Sequence, residues 1–254
     1  MVAIPPTPAQ AAAERPFTVA ITGASGALGQ ALLRRWHGRG ARLLALTHGP
    51  APLVVHDAGG TPLPLEQQQW QPGAEEALAP LLMEVDLLVL NHGLNPHADR
   101  SATATAQALE VNVLSVWRLL ELFARLQAER PSDAGRRPEV WVNTSEAELI
   151  PTFSPLYELS KRLLGQILSL RLLDLAPTLR VRRLVLGPFR SALNPIGVME
   201  ANWVAGEILR QADWNLGLII VTPNPLTLLL LPLQTLARHV YLRLCTRPAA
   251  GSGV

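Results

Sequence analysis

The stretch "FTVAITGASGALGQALLRRWHGRG", residues 17–40, narrows the fold more than any other part of the chain. A short apolar run ends in a cluster of glycines, and helical spacing then continues to a glycine stop. A strand that turns at once into a helix opens a parallel crossover unit. The same alternation recurs along the chain. "ARLLALTHG", "DLLVLNHG", "VWVNTS", "RVRRLVLGP" and "LGLIIVTP" read as further strands. Helices are predicted near "GAEEALAPLLMEV", "ATAQALEVNVLSVWRLLELFARLQAE", "LYELSKRLLGQILSLRLLDL" and "EANWVAGEILRQA". Strands without polar alternation are buried on both faces, so helices must cover both sides. The expectation is one α/β domain built on a doubly wound parallel sheet. After the second strand the usual helix is missing. "LVVHDAGGTPLPLEQQQW" instead places two extended runs around Asp57–Gly60, a β-hairpin signal.

With 254 residues, 48% of them hydrophobic and 17% charged, the chain can bury one full core. A formal net charge of +2 gives no reason to expect a nucleic-acid partner. The single cysteine, Cys245, excludes an internal disulfide framework and fits a reducing, cytoplasmic setting. Residues 1–16 lack a basic start and an apolar core, so they read as a disordered lead, and 248–254 as a tail. The domain is expected to span 17–223, followed by a C-terminal helix over 224–247.

Four motifs carry chemistry. In "ITGASGALGQALL", a turn with Gly23, Gly26 and Gly29 lets backbone amides approach a pyrophosphate at a helix N-terminus, with Ser25, Ala27 and Leu28 alongside. In "LNHG", Gly93 leaves room for a cofactor and Asn91 ties neighbouring strands together. Of 22 basic residues only Lys161 is a lysine, and one of the two tyrosines, Tyr157, precedes it by four. On a helix these two share a face, and an ammonium beside a phenol is expected to lower the tyrosine pKa toward the working range. Ser145, at the end of "VWVNTS", is placed to hold a substrate oxygen against Tyr157, with Thr144 as the alternative hydroxyl. The second strand ends at Thr47 and His48 with no carboxylate to accept from a ribose 2′-hydroxyl. That favours NADP, with NAD as the alternative, and Arg34 and Arg35 are expected to add positive charge. His92 and His97 share a loop without metal-ligand spacing, and no metal is expected.

Together these residues resemble the short-chain dehydrogenase/reductase family over roughly residues 17–223. The resemblance implies a Rossmann-type fold, a nicotinamide cofactor and an Asn-Ser-Tyr-Lys tetrad that falls on Asn112, Ser145, Tyr157 and Lys161. It further implies that Lys161 binds the nicotinamide ribose, that Asn112 holds a relay water, and that Gly187 and Pro188 of "LGPF" border the cofactor. "TGxxGxxG" and the inverted Gly-Pro are closer to the extended and atypical branches. Trp70 falls where an adenine-contacting aspartate usually sits, and Glu146 and Glu148 crowd Ser145, where they would repel an acidic substrate. The wording "WVNTSEAE" and "LGPFRSALNPIGVM" is similar to the reductase half of bifunctional sterol desaturase/short-chain dehydrogenase proteins of photosynthetic bacteria.

The expected activity is carbonyl–alcohol interconversion on a small apolar or lipid-like substrate. An epimerase- or dehydratase-like member and a silent nucleotide-binding scaffold are the alternatives. The leucine-rich C-terminal segment is too short and too interrupted by proline to span a bilayer. It reads either as a helix packed on the core or on a second subunit of a homo-oligomer, or as an interfacial helix at anionic headgroups.

Overall fold

The computed structural model describes residues 15–130, 136–176 and 178–247. The bulk of the expected lead (1–14) and the expected tail (248–254) lie outside the described residues. Seven parallel strands form a single sheet in the order β3-β2-β1-β4-β5-β6-β7. They are β1 (Thr18–Thr22), β2 (Arg42–Thr47), β3 (Glu66–Gln69), β4 (Leu87–Leu90), β5 (Glu139–Asn143), β6 (Arg180–Leu186) and β7 (Leu218–Val221). The helices are α1 (Ala27–His37), α2 (Ala79–Leu82), α3 (Ala102–Leu109), α4 (Ser115–Glu129), α5 (Pro155–Leu175), α6 (Ala201–Asp213) and α7 (Pro225–Cys245). This is the Rossmann-type, doubly wound arrangement that the sequence pattern predicts.

Each face of the sheet carries its own core because successive strand side chains point to opposite sides. Val19 and Ile21 of β1 pack with Trp36 of α1, Trp141 of β5 and Ile208 of α6. Ala20 faces the other way, into a cluster with Leu44, Phe123 of α4, and Leu164 and Leu168 of α5. All five residues of β1 are buried, which is why the strand shows no polar alternation.

The hairpin forms where expected. Asp57 Oδ1 accepts from the amides of Gly59 and Thr61, Gly60 adopts φ 84°, and His56 bridges Pro62 antiparallel. The chain then adds β3 as a parallel edge strand on β2, with Leu44 opposite Glu66. Its sequence, EQQQ, is polar because an edge strand here is largely exposed. Trp70, next in the chain, is drawn into the core on the α4 side and meets the His92 ring edge-on at 5.1 Å.

Strand order reverses between β1 and β4, whose neighbours lie on opposite sides. In open parallel sheets the crevice at the carboxyl ends of such a strand pair is where ligands bind. The glycine turn after β1 and the "NHG" after β4 meet at that point.

Candidate active site

The turn after β1 is shaped by its glycines. Gly23 adopts φ 61°, and a Cβ there would lie 2.9 Å from His92 Cα. A Cβ on Gly29 would come within 2.4 Å of the Gly23 carbonyl oxygen, so helix and turn touch backbone to backbone. Gly26 is the N-cap of α1 and supplies no side-chain cap, which leaves the first-turn amides of α1 facing the crevice. A dinucleotide pyrophosphate fits this cradle: the donors lack side-chain partners, the helix end is positive, and side chains at Gly23 or Gly29 would strike neighbouring backbone and force the turn out of shape. Ser25 is exposed at the rim, Ala27 half-buried and Leu28 buried beneath.

Asn91 ties the strand ends together. Its amide N–H donates to Thr22 Oγ1 at 2.8 Å, its Nδ2 donates to the Gly23 carbonyl at 3.4 Å, and its Oδ1 accepts from Asn143 Nδ2 at 2.8 Å. Three adjacent strands are thus fixed at one level. The His92 side chain turns inward, with Nδ1 2.8 Å from Thr22 Oγ1 and Nε2 sealed off without a partner. Burial, and secondarily the Lys161 charge, push its pKa down to about 3, so the ring is neutral across the working range.

The four tetrad positions come from three separate places in the fold: the turn before α4, the end of β5 and helix α5. α3 and α4 are joined by a π turn, Glu110–Leu114, and Asn112 sits in it fully buried. Asn112 Oδ1 accepts from the Leu94 amide at 2.7 Å, and its Nδ2 donates to the Leu94 carbonyl at 2.8 Å and to Ser160 Oγ at 2.9 Å. The Ser160 hydroxyl in turn donates to the Tyr157 carbonyl at 2.8 Å. The π turn is thereby tied to α5, the helix that carries Tyr157 and Lys161. A Cβ at Gly93 would stand 3.3 Å from Asn112 Oδ1, a tight contact that the absence of a side chain avoids.

Lys161 is buried, and its Nζ donates to the Asn143 carbonyl at 3.1 Å while lying 5.7 Å from the Tyr157 ring centroid. Burial lowers its pKa to about 8. The effect expected on Tyr157 is not what the structure gives. Burial raises the phenol pKa, and the Ser145 hydroxyl beside it opposes the rise only in part. The ammonium meets the ring face and a backbone carbonyl, and desolvation is the dominant influence on the phenol. The choice of hydroxyl is geometric. Thr144 Oγ1 is turned to the Leu184 carbonyl at 3.1 Å, whereas Ser145 lies next to the phenol and accepts from the Ala147 amide at 3.2 Å.

The two glutamates expected to crowd Ser145 point away from it. Glu146 is buried and accepts hydrogen bonds from the Thr227 hydroxyl and, at 2.9 Å, from Thr222. Glu148 forms a buried ion pair with Arg183 of β6, in the space left by Gly165 of α5. Leaving either charge of such a buried pair without its partner costs about 3–5 kcal/mol. Both carboxylates are engaged inside the protein, which corrects the expected crowding of Ser145. Arg34 and Arg35 are also elsewhere. They lie in the last turn of α1, where Arg34 donates to the His56 carbonyl and Arg35 to the Asn202 carbonyl. Neither is at the phosphate end of the helix.

Thr47 is buried, with its hydroxyl donating to the Gly49 carbonyl and accepting from Gln67 Nε2 at 2.9 Å, while His48 is exposed. Gly187 donates to the Val221 carbonyl at 2.9 Å, and a Cβ there would strike Thr222. The Pro188 carbonyl accepts from the amides of Val198 and Met199, which folds the loop 188–199 back over the sheet edge. Asn95 reaches that loop through the Leu193 carbonyl at 3.0 Å, so the loops after β4 and β6 close round the crevice. Among the described residues no group of three or more His, Cys, Asp or Glu side chains converges as a metal site would require. Sequence reasoning missed Asn143, whose side chain donates to Asn91 and whose backbone carbonyl, which leaves no signal in residue type, holds Lys161. It also missed Ser160, the link between Asn112 and α5.

The fold has solved counterparts. A short-chain dehydrogenase from Burkholderia cenocepacia in complex with NADP superposes with a TM-score of 0.71 at 17% identity, covering 92% of this chain and 99% of that one. A short-chain dehydrogenase from Sphingobium yanoikuyae in complex with NADPH gives 0.69 at 20% identity, covering 92% and 98%. The fold is that of the short-chain dehydrogenases. The model of the NAD dependent epimerase/dehydratase family matches residues 19–135. The chain is also similar to monoglucosyldiacylglycerol epimerase of Synechocystis sp., with 44% identity over 229 residues. That alignment covers 90% of this chain and 55% of the epimerase, so the chain spans little more than half the length of that relative.

Proposed function

We propose that this chain is an NAD(P)-dependent oxidoreductase acting as the redox unit of an epimerase, on a hydroxyl-bearing carbon of a lipid-linked sugar. The observation that carries the reading is the meeting of Tyr157, Ser145 and Lys161 at the sheet edge beside the uncapped glycine turn. The substrate class is argued from the relative named for its action on monoglucosyldiacylglycerol. The extended-branch alternative drawn from "TGxxGxxG" and "LGPF" points the same way. The likeness to the reductase half of bifunctional sterol desaturase proteins rests on motif wording alone.

A nicotinamide cofactor bound at the glycine turn would supply reversible hydride exchange with the carbinol carbon. Ser145 holds the substrate oxygen. Tyr157, as phenolate, accepts the hydroxyl proton while the C–O bond becomes C=O, and returns that proton when the carbon is reduced again. Lys161 supplies positive charge next to the phenol and donors toward the cofactor ribose. If the ketone presents its other face before reduction, the product is the epimer, and no net oxidant is consumed.

The test uses glucosyldiacylglycerol in detergent micelles with cofactor well below substrate, followed by sugar analysis of the released headgroup. We expect a mixture of glucose and one epimer, without accumulation of reduced cofactor. Net cofactor turnover with a ketone and no epimer would select a plain carbonyl–alcohol oxidoreductase. Cofactor binding with neither outcome would leave a silent scaffold.

Cofactor choice is a second expectation. No carboxylate stands at the end of β2 to compete with a 2′-phosphate, and His48 is free to donate to one although the Thr47 hydroxyl is engaged. Fluorescence titration is expected to show NADPH binding roughly tenfold more tightly than NADH. Tighter NADH binding sinks the preference.

A further inference from the structure

Helix α7 touches the rest of the protein along one narrow stripe. Thr227, Leu231 and Leu242 are buried, with Thr235 and Arg238 half-buried between them, and nearly all the remaining surface of the helix is exposed. At 100° per residue, Leu226, Leu229, Leu233, Leu236, Val240 and Leu244 form a second stripe roughly 170° away from the first. The second stripe faces solvent: Leu229 is 62% and Leu244 80% exposed. A helix that is apolar all round normally has both sides covered. Here the outward side lacks a cover among the described residues.

Charge says what fits there. All 20 acidic residues of the chain precede Trp214, whereas Arg238, Arg243 and Arg247 follow it. Arg243 and His239 flank the leucine stripe, and Arg247 extends the basic end. Two copies of this helix packed on each other would bring cations together with no acid from the same segment to offset them. An anionic lipid surface offers both an apolar interior for the leucines and phosphates for the arginines.

Position links this surface to the crevice. α7 follows β7 at the carboxyl edge of the sheet, and its second residue, Leu226, is succeeded by Thr227, which holds Glu146 next to Ser145. Other apolar side chains stand out from loops at that edge: Phe153, just before α5, is 97% exposed, with Ile196 and Val198 in the loop after β6. No helix among the described residues is long and apolar enough to cross a membrane. We infer that the outward face of α7 is a docking surface for an anionic lipid bilayer, on which the chain lies with its crevice close to the headgroups. That docking serves catalysis rests on the lipid-linked substrate proposed above; the docking itself does not.

The experiment is flotation of the full chain with vesicles of equal parts phosphatidylglycerol and phosphatidylcholine, against phosphatidylcholine alone, all free of glycolipid. Full-length protein is expected to float with the anionic vesicles and to be released by high salt. The combined Leu229→Gln, Leu233→Gln and Leu236→Gln variant should partition at least about tenfold less, and Arg243→Glu with Arg247→Glu should remove the anionic preference. These side chains are exposed, so melting temperature and cofactor affinity should not change. Protein that stays in the soluble fraction with anionic vesicles overturns the inference, as does a leucine variant that floats like the parent. A dimer in solution that the leucine variant splits, without flotation by the parent, would assign the face to a second copy. Headgroup conversion in detergent micelles is measured in parallel. Flotation without any conversion would remove the proposed reaction and leave the docking intact.

Discussion

Tyr157→Phe is expected to lower kcat by about 10²–10⁴-fold while the affinity for reduced cofactor stays within about twofold of the parent. The substitution removes one oxygen. It leaves the ring under the Lys161 ammonium and the Ser160 bond to the residue-157 carbonyl in place. What disappears is the group that accepts and returns the substrate proton. Because burial raises the phenol pKa in the structure, the parent should also lose activity in the oxidative direction as pH falls, since less phenolate is present. Pre-steady-state turnover of parent and variant across a pH series checks both parts. Wild-type turnover by the phenylalanine variant on a genuine substrate would refute the tetrad assignment.

Lys161→Met is expected to abolish turnover and at the same time to raise the melting temperature at neutral pH. A buried lysine with a folded-state pKa of about 8, against an ordinary value of 10.5, is costly to keep protonated. That cost is present in full below pH 8, where folded and unfolded chains both carry the proton. It fades as pH rises from 8 toward 10.5, because the folded protein has already released its proton and the unfolded chain still binds one. Methionine removes the charge but fills the stem volume, so the variant should gain about 1–3 kcal/mol at pH 7, less the lost hydrogen bond to the Asn143 carbonyl. The stabilisation should shrink as pH climbs above 8, which thermal melts at several pH values would reveal. A methionine variant less stable than the parent at pH 7 would mean that the bond to Asn143 outweighs desolvation. Lys161→Arg should also fail in turnover, since a planar guanidinium does not reproduce a compact ammonium between the ring and the carbonyl.

The stability cost of Lys161 fits its being alone. The other cations in the chain are arginines, and several are paired: Arg42 with Glu66, Arg118 with Glu75, Arg183 with Glu148. Lys161 is buried with a carbonyl and a ring face as its neighbours. A residue held in an unfavourable protonated state is a candidate for function on physical grounds, which is the inference its rarity in the sequence also suggested.

Local pattern in the sequence determined much of this protein. Unbroken apolar runs between amphipathic helices fixed a covered parallel sheet, because only burial on both faces removes the alternation. The glycine turn and the i, i+4 pair were legible because their geometry is set within a few residues. Asp57–Gly60 announced a hairpin for the same reason. What the sequence could not reveal depends on contacts between distant segments. That Glu148 meets Arg183, that Glu146 is held by Thr227, and that Lys161 is fixed by the backbone of Asn143 follow from strand order and helix packing. The raised phenol pKa is of this kind as well, since desolvation depends on everything around the ring and not on the residue four places along. The outward leucine stripe of α7 shows the division most plainly. Sequence supplied the leucines, but only packing decided that one narrow stripe faces α5 and the rest faces outward.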